Sequence, residues 1–424
     1  MESDQEVPEN DSHVVKRVKS NSFDGESNLE EVIVAFNDFK GVGDNQISFK
    51  KGDELHILQK TTDTWWWAEL AGCYGYVPVN HLKPEKHAIW QDEEYFGNYS
   101  NLKLHHEMLS DRPRTLAYMR AIMSNSMFLT GKVILDVGCG TGIISMMCAR
   151  HADPKMIYAV EASDIAVYAR EVIEQNKMSE QIKLLHGYAE NIELPEKVHL
   201  IISEWMGTML LFEMMIESVI LMRDRYLQED GVLWPSTASL FLVPCSAHDQ
   251  YTSKVDFWDN QFGFDFSCLK PVAKEDLLCK PLHDYILPQD DCLSEEVKLF
   301  QLDMKTVTVQ YLEEIISHFN FCIRKAGTLH GFCAWFEVGF DPYSPNGEQV
   351  LLNTGPSHEL THWKQDLFLL DEPVHVKEDD QIVGSVVLTR NPDYRRHLRA
   401  EYQFTVISGD KTVSEHRKKF FIWR

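Results

Sequence analysis

The sequence has no CxxC pair and no cluster of Cys and His, so its nine cysteines suggest neither a disulfide framework nor a structural zinc site. Reduced thiols and no bound metal are the expectation. No apolar run reaches the ~18 residues that a membrane-spanning helix requires, and the first residues, MESDQEVPEN, are too acidic and polar for a signal peptide. A location in nucleus and cytoplasm, away from any membrane, is expected. Basic residues are also short: 41 Lys and Arg against 65 Asp and Glu give a formal charge of −24. That balance argues against direct nucleic-acid binding, where clustered cations must neutralise phosphates. It favours basic partners, or serves solubility alone. What is present is globular in composition, 44% hydrophobic and 25% charged, over 424 residues. Such a length calls for two or three domains.

Residues 1–29 are polar and lack an apolar period, and read as a disordered acidic tail. Within them Lys16, Arg17 and Lys19 read as a nuclear signal or as a solvated patch. Residues 30–84 change to short β-type runs, VIVAF, ELHILQ, WWWAEL and GYVPV, between Gly, Asp and Asn turns, the pattern of a small β-barrel. Strand alternation cannot bury Trp65, Trp66 and Trp67 together. A brief linker is expected at Lys86–Asp92. Residues 90–235 then show helical patterning followed, from Val133 to about Gln228, by strands and helices in βαβ alternation, hence a doubly wound parallel sheet. Residues 236–424 are mostly short strands, SLFLVPC, FNFCIRK, GFCAWFEVGF, IVGSVVL and EYQFTVI, interrupted by an irregular stretch at about 251–288. The fold class is therefore multidomain α/β plus β.

The segment KVILDVGCGTG is a buried strand running into a turn at Gly138, Gly140 and Gly142, and IISMMCAR continues with helical spacing. Its GxGxG spacing is shorter than the GxGxxG of the dinucleotide fingerprint. The next strand, MIYAV, ends in Glu161, placed to accept from ribose hydroxyls, a device shared with NAD enzymes. HGYAENIELP suggests a third strand ending near Glu190, an acceptor for an adenine amino group or a plain surface glutamate.

VHLIISE delivers Glu204 to the carboxyl edge of the sheet, where ligands of such folds bind. Nine residues on comes Glu213, across the apolar WMGTMLLF. Two carboxylates flanking an apolar loop must meet a cation or bear a large desolvation cost. A guanidinium is the natural cation, since its rigid fork pairs with carboxylates and stays protonated. Gripped on one side, it is left more nucleophilic at the opposite nitrogen. Tyr95 and Tyr99, four apart, share a helix face as a lid or as core aromatics. Asp111, before Arg112-Pro113 and a helical run, also reads as an N-cap.

Two resemblances organise these readings. VAFNDF, the acidic turn Gly43-Asp44, FKKGDEL, the Trp run and GYVPVNHL stand in the order of a Src-homology-3 (SH3) domain. That resemblance implies a groove for Pro-rich ligands in polyproline II form, lined by Phe36, Phe39, Asp44, Trp65 and Pro78. Asn37 and His81 stand where the family has tyrosines. From residue 90 to 424, SEWMG with its second Glu, together with YFGNY, HHEML, DRPRTLAY, LDVGCGTG and THW, resembles the protein arginine methyltransferase family, in an SH3-bearing, type I form.

This second resemblance implies S-adenosyl-L-methionine as methyl donor and S-adenosyl-L-homocysteine as product. It implies a Rossmann-like sheet, a C-terminal β-barrel and, at about 251–288, a dimerisation arm bearing Phe257, Trp258, Phe262, Phe264 and Phe266 in a homodimer. Residue by residue, His105 and Arg114 would contact the cofactor, Arg114 pairing with its carboxylate. Asp136, Gly138, Gly140, Glu161 and Glu190 would hold the rest, under Tyr95 and Tyr99. Met108 would sit beside the methyl-accepting nitrogen. Glu204 and Glu213 would grip the substrate arginine, with a His362–Asp111 dyad for proton removal or loop positioning. Basic or Arg/Gly-rich proteins, histones among them, would carry monomethyl and asymmetric dimethylarginine. Thr208, where close relatives often have Tyr, and Cys139 within the glycine turn depart from the pattern. A weakly active SH3 adaptor or transcriptional coregulator that binds cofactor is the alternative expectation.

Overall fold

The computed structural model describes residues 31–423 except 36, 42–44, 63–64, 83–85 and 344–346. The tail at 1–29 and the groove residues Phe36 and Asp44 lie outside the described residues. The chain divides into two units at Asp92/Glu93.

In the first, β1 (Glu31–Val34), β2 (Glu54–Gln59), β3 (Trp65–Leu70) and β4 (Cys73–Pro78) pair antiparallel in that order, and the short α1 (Val79–Leu82) follows. Alternation sorts the tryptophans as a strand must: Trp66 is buried with Ala68, while Trp65 and Trp67 lie half-buried on the other face. Ile33, Leu55, Ile57 and Val77 complete this small core.

The expected linker is instead helix, for α2 spans Lys86–Tyr99. No Pro or Gly interrupts it before Gly97, and nothing there stops a helix. Then come α3 (Leu102–Ser110), α4 (Arg112–Ser124) and α5 (Ser126–Leu129). The βαβ text folds as β5 (Val133–Val137), α6 (Ile143–Ala152), β6 (Met156–Glu161), α7 (Ile165–Gln175), β7 (Ile182–His186), β8 (Val198–Ile202), α8 (Ile216–Tyr226) and β9 (Leu227–Trp234). The order is β7-β6-β5-β8-β9, all parallel. Winding therefore reverses between β5 and β8, and their carboxyl ends form the switch point where open α/β sheets take ligands.

The remaining chain comprises β10 (Thr237–Cys245), α9 (His248–Lys254), α10 (Lys270–Leu277), β11 (Leu282–Tyr285), β12 (Val297–Asp303), α11 (Val309–Glu313), β13 (Glu314–Cys322), β14 (Gly327–Phe340), β15 (Val350–Asn353), β16 (Gln365–Val376), β17 (Gln381–Arg390), β18 (Leu398–Ser408) and β19 (Lys411–Ile422). One antiparallel sheet runs β11-β16-β14-β10-β12 with β15 on β14; the other runs β13-β17-β18-β19. Phe332 and Phe368 of the first meet Tyr402, Phe404 and Phe420 of the second in a shared aromatic core. The stretch at 251–288 is less irregular than its text suggests, because the end of α9, all of α10 and β11 lie within it. Its tip exposes Phe262 and Phe264, at 98% and 69%.

Candidate active site

Every residue of β5 is buried, so Asp136 is a carboxyl in the middle of a core strand. Its Oδ2 accepts from Ser145 Oγ at 2.7 Å, and Oδ1 has no hydrogen-bond partner. Burial, against the Ser145 bond, pushes its pKa up to about 7. The turn that follows holds Gly138, Gly140 and Gly142 at φ +72°, +54° and +82°, left-handed backbone that favours glycine. A Cβ on Gly138 would also overlap the Met215 side chain. Gly140 N donates to Glu161 Oε2 at 2.8 Å, while Glu161 Oε1 accepts from Ser163 N and Oγ at 2.8 and 2.7 Å. Glu161 is thus at the predicted strand end, with both oxygens holding the turn and Ser163. His105, buried, donates from Nε2 to Tyr99 O at 2.7 Å and lies against Gly140. Glu190 does not end a strand: β7 stops at His186, and Glu190 sits in a short 3-10 turn, accepting from Ser218 Oγ at 2.8 Å. A close-backed glycine cradle, an unpartnered buried oxygen and an adjacent strand-end carboxylate suit a ribose-bearing ligand.

Glu204 leaves β8 two residues past its end. Its Oε2 accepts from Arg114 Nε at 3.0 Å and Nη2 at 2.8 Å, and Arg114 Nη1 donates to Met108 O at 3.2 Å. Arg114, predicted to pair with the cofactor's carboxylate, is here paired with Glu204. Burial alone would lower the guanidinium's affinity for its proton, but Glu204 more than offsets it and raises the pKa. Tyr118 Oη, on the same helix, donates to Ser203 O at 2.9 Å.

Between the two glutamates Trp205, Met206, Met209, Leu210, Leu211 and Phe212 are all buried. Met209, Leu210, Glu213 and Met214 have φ of +52°, +66°, +76° and +55°. Non-glycine residues there cost about 1–3 kcal/mol each and persist only where surroundings over-determine them. The surroundings are identifiable. Trp363 Nε1 donates to Met206 O at 3.0 Å, and Asp366 Oδ2 accepts from Met209 N at 3.1 Å. Glu213 N donates to Arg396 O at 3.0 Å while Arg396 Nη1 donates to Glu213 O at 2.7 Å. Arg396 also lies over the rings of Tyr95, at 3.9 Å, and Phe96, at 5.4 Å. Tyr95 and Tyr99 share a face, their rings 5.0 Å apart, and Tyr99 Oη donates to Glu213 Oε2 at 2.8 Å. Burial first, and Glu213 second, push the Tyr99 hydroxyl well above its ordinary pKa.

Asp111 meets both of its candidate partners, one per oxygen. Oδ1 caps α4 by accepting from Arg114 N at 3.0 Å. Oδ2 faces His362 Nδ1 at 2.6 Å and accepts from His362 N at 2.8 Å. Burial pushes the carboxyl up, but these hydrogen bonds outweigh it and hold its pKa below the usual range. In the first unit Phe39 packs edge-on to Trp65 at 5.9 Å, and Trp65 lies opposite Pro78. His81 packs on Phe39 and donates from Nδ1 to Asp38 O at 2.9 Å. Among the described residues no His, Cys, Asp and Glu group is arranged to hold a metal.

Sequence reading missed Ser163, Tyr118, Asp366 and Arg396. The paired cations of PDYRRH were the only signal for Arg396, and they name no partner.

Residues 34–79 match the family described as SH3 domain, 134–231 that described as methyltransferase domain, and 236–409 that described as arginine methyltransferase oligomerization subdomain. Protein arginine N-methyltransferase 2 of Homo sapiens is 49% identical over 401 residues, covering 93% of each chain. The Xenopus laevis protein of that name is 48% identical over 395 residues, covering 91% of each. Among solved structures, the Trypanosoma brucei PRMT1 enzyme-prozyme heterotetrameric complex with AdoHcy superposes with a TM-score of 0.70 at 30% identity, covering 77% of this chain and 99% of that one. Protein arginine methyltransferase 10 of Arabidopsis thaliana gives 0.69 at 31% identity, covering 78% and 100%.

Proposed function

Because the chain belongs to the protein arginine N-methyltransferase family, we propose that Glu204 and Glu213 are the carboxylates that hold its substrate guanidinium. The activity is S-adenosylmethionine-dependent methylation of protein arginine, in a chain that also carries an SH3 domain. When bound, the cofactor supplies an electrophilic methyl group on a sulfonium.

One observation carries the assignment: Glu204 Oε2 already accepts two N–H groups from the guanidinium fork of Arg114. That carboxylate is shaped and charged for such a group. Glu213, at the loop's far end, takes a Tyr99 hydroxyl on Oε2. Together the two acids draw positive charge toward one side of a bound guanidinium and leave a lone pair on its remaining terminal nitrogen, near Met108. Asp111 holds the Nδ1–H of His362, which leaves Nε2 to take the released proton. Gly138, Gly140, Asp136, Glu161 and Glu190 would hold the nucleoside half of the cofactor, and His105 and Arg114 its amino-acid end, below Tyr95 and Tyr99. For Arg114 this requires sharing its fork between Glu204 and a second carboxylate.

The products proposed are monomethyl and asymmetric dimethylarginine, on basic or Arg/Gly-rich proteins including histones, a substrate class that a chain of charge −24 attracts. Amino-acid analysis of a labelled basic protein is expected to give these two products. Symmetric dimethylarginine, or label on lysine alone, would sink the reading.

The SH3 domain is proposed to recruit Pro-rich partners through Phe39, Trp65 and Pro78, and the arm at 251–288, with its exposed Phe262 and Phe264, to join two copies. The proposed location is nucleus and cytoplasm. Deleting residues 1–84 is expected to slow methylation of Pro-rich basic proteins by roughly tenfold or more, through lost effective concentration, while sparing short Pro-free peptides. Equal loss on both would count against recruitment.

A further inference from the structure

The loop between the glutamates is fastened at two points, one just before β16 and one at its start. Trp363 takes Met206 O, and three residues on Asp366 takes Met209 N. The second clamp is a buried carboxylate. Its position matters because Met209 begins the left-handed pair at the apex, φ +52° and +66°. Other apex groups are satisfied within the loop: Gly207 N to Leu210 O at 3.0 Å, Leu211 N to Met209 O at 2.7 Å, Phe212 N to Thr208 O at 3.0 Å. The Met209 N–H is held from outside, by Asp366. A buried N–H left unpaired is costly, so without that acceptor the apex has reason to change shape.

Asp366 is itself held. Its Oδ1 lies 2.7 Å from His283 Nδ1, and His283 Nε2 is buried without a hydrogen-bond partner. His283 belongs to β11, by which the stretch at 251–288 returns to the sheet. The β11–β16 register shifts between Leu282 and Tyr285, around His283. Irregularities of this kind re-aim a side chain, and they recur beside active sites. Leu287 N donates to Gln365 Oε1 at 2.9 Å, which secures the same junction from its other side.

We propose that Asp366 is a positioning residue for methyl transfer: by holding Met209 it fixes the loop apex, and so the placement of Glu204 relative to Glu213. His283 fixes Asp366, and through it the arm's return strand bears on the catalytic loop. The proposal rests on the reading of the two glutamates as the guanidinium clamp. It adds a dependence of that clamp on two residues that touch neither substrate nor cofactor.

The test uses the full chain and a short basic peptide, with kcat and KM, S-adenosylhomocysteine affinity by calorimetry, and thermal melting. Asp366→Ala is expected to lower kcat about tenfold, the kinetic equivalent of about 1.4 kcal/mol. Affinity for S-adenosylhomocysteine should change less than about twofold, because the glycine turn is untouched. Asp366→Asn keeps an oxygen for Met209 N and should recover to within about threefold of the parent. His283→Ala should fall between, and the double variant should be no slower than Asp366→Ala, as expected for one chain of contacts. A merely structural role would lower melting and cofactor affinity together with kcat, and Asn would give no rescue. If Asp366→Ala does not fold, His283→Ala decides, by losing kcat with cofactor affinity kept. Parental kcat in the alanine variants, or loss of cofactor affinity in step with kcat, overturns the proposal. Glu213→Gln, run alongside, separates the two ideas: parental activity there overturns both, whereas its loss with parental Asp366→Ala overturns the positioning role alone.

Discussion

Glu213→Gln is expected to fold as the parent does and to lose on the order of 10²- to 10³-fold in methyl transfer, the scale on which removing one preorganised group from a reacting centre acts. Glutamine keeps an oxygen for Tyr99 Oη and leaves both backbone bonds to Arg396 in place. The negative charge is lost, and one acceptor oxygen becomes an amide N–H donor. Glu204→Gln is expected to be at least as inactive but also less stable. Its carboxylate is the ionic partner of Arg114, and both side chains are under a tenth exposed, 8% and 6%. Removing one member of a buried pair leaves an uncompensated charge, at about 3–5 kcal/mol. The two isosteric changes should therefore agree in rate and differ in melting temperature. Transfer of cofactor label to a peptide, with thermal unfolding of each variant, checks this. A parental rate in Glu213→Gln would remove the clamp, and equal melting losses would remove the distinction drawn from Arg114.

What was legible in the sequence was what lies close along the chain. The strand, turn and helix around Gly138 announce themselves by hydrophobic run, glycine spacing and helical period within one short segment. The loop from Glu204 to Glu213 does so by two acids around apolar text. The four-residue spacing of Tyr95 and Tyr99 gave their shared face but not its target, which is Glu213, 114 residues from Tyr99. Partnerships between distant segments were not legible from spacing. Arg114 and Glu204 are 90 residues apart, and Arg396 and Glu213 183. Neither periodicity nor composition encodes which ends of elements the packing brings together. Asp111 shows another limit: cap and His362 partner looked like rivals because one residue seemed to need one role, yet a carboxylate has two oxygens and the fold uses each. The supposed linker at Lys86–Asp92 and the supposed irregular stretch at 251–288 failed for a local reason. Neither stretch carries a sustained apolar period in the sequence, and only the absence of breakers marks the helices there.

Asp136→Asn is expected to remove a pH dependence from the stability of the cofactor-free protein. In the folded chain the carboxyl titrates at about 7 rather than at the ordinary 3.8. A raised folded-state pKa means that the folded protein binds this proton more tightly than the unfolded chain does. Below the ordinary value the group has no effect on stability. Between the two values each pH unit costs about 1.4 kcal/mol, on the order of 4 kcal/mol across the window, and above the raised value the loss is complete. Asparagine has no proton to lose, so this slope should vanish. Its amide also places N–H donors where Oδ1 now lies unpaired, a penalty of about 1–3 kcal/mol that does not vary with pH. Urea unfolding of both proteins from about pH 5 to 8, compared by slope rather than absolute value, isolates the titration. Parallel slopes would mean that Asp136 ionises normally. The further consequence concerns the cofactor. An acid carried at such a cost at the switch point, beside the glycine turn, is where a ligand contact is expected to offset it. Asp136→Asn should then bind S-adenosylhomocysteine more weakly than the parent even where it is the more stable protein, and a variant both stabler and equal in affinity would take Asp136 out of the cofactor site.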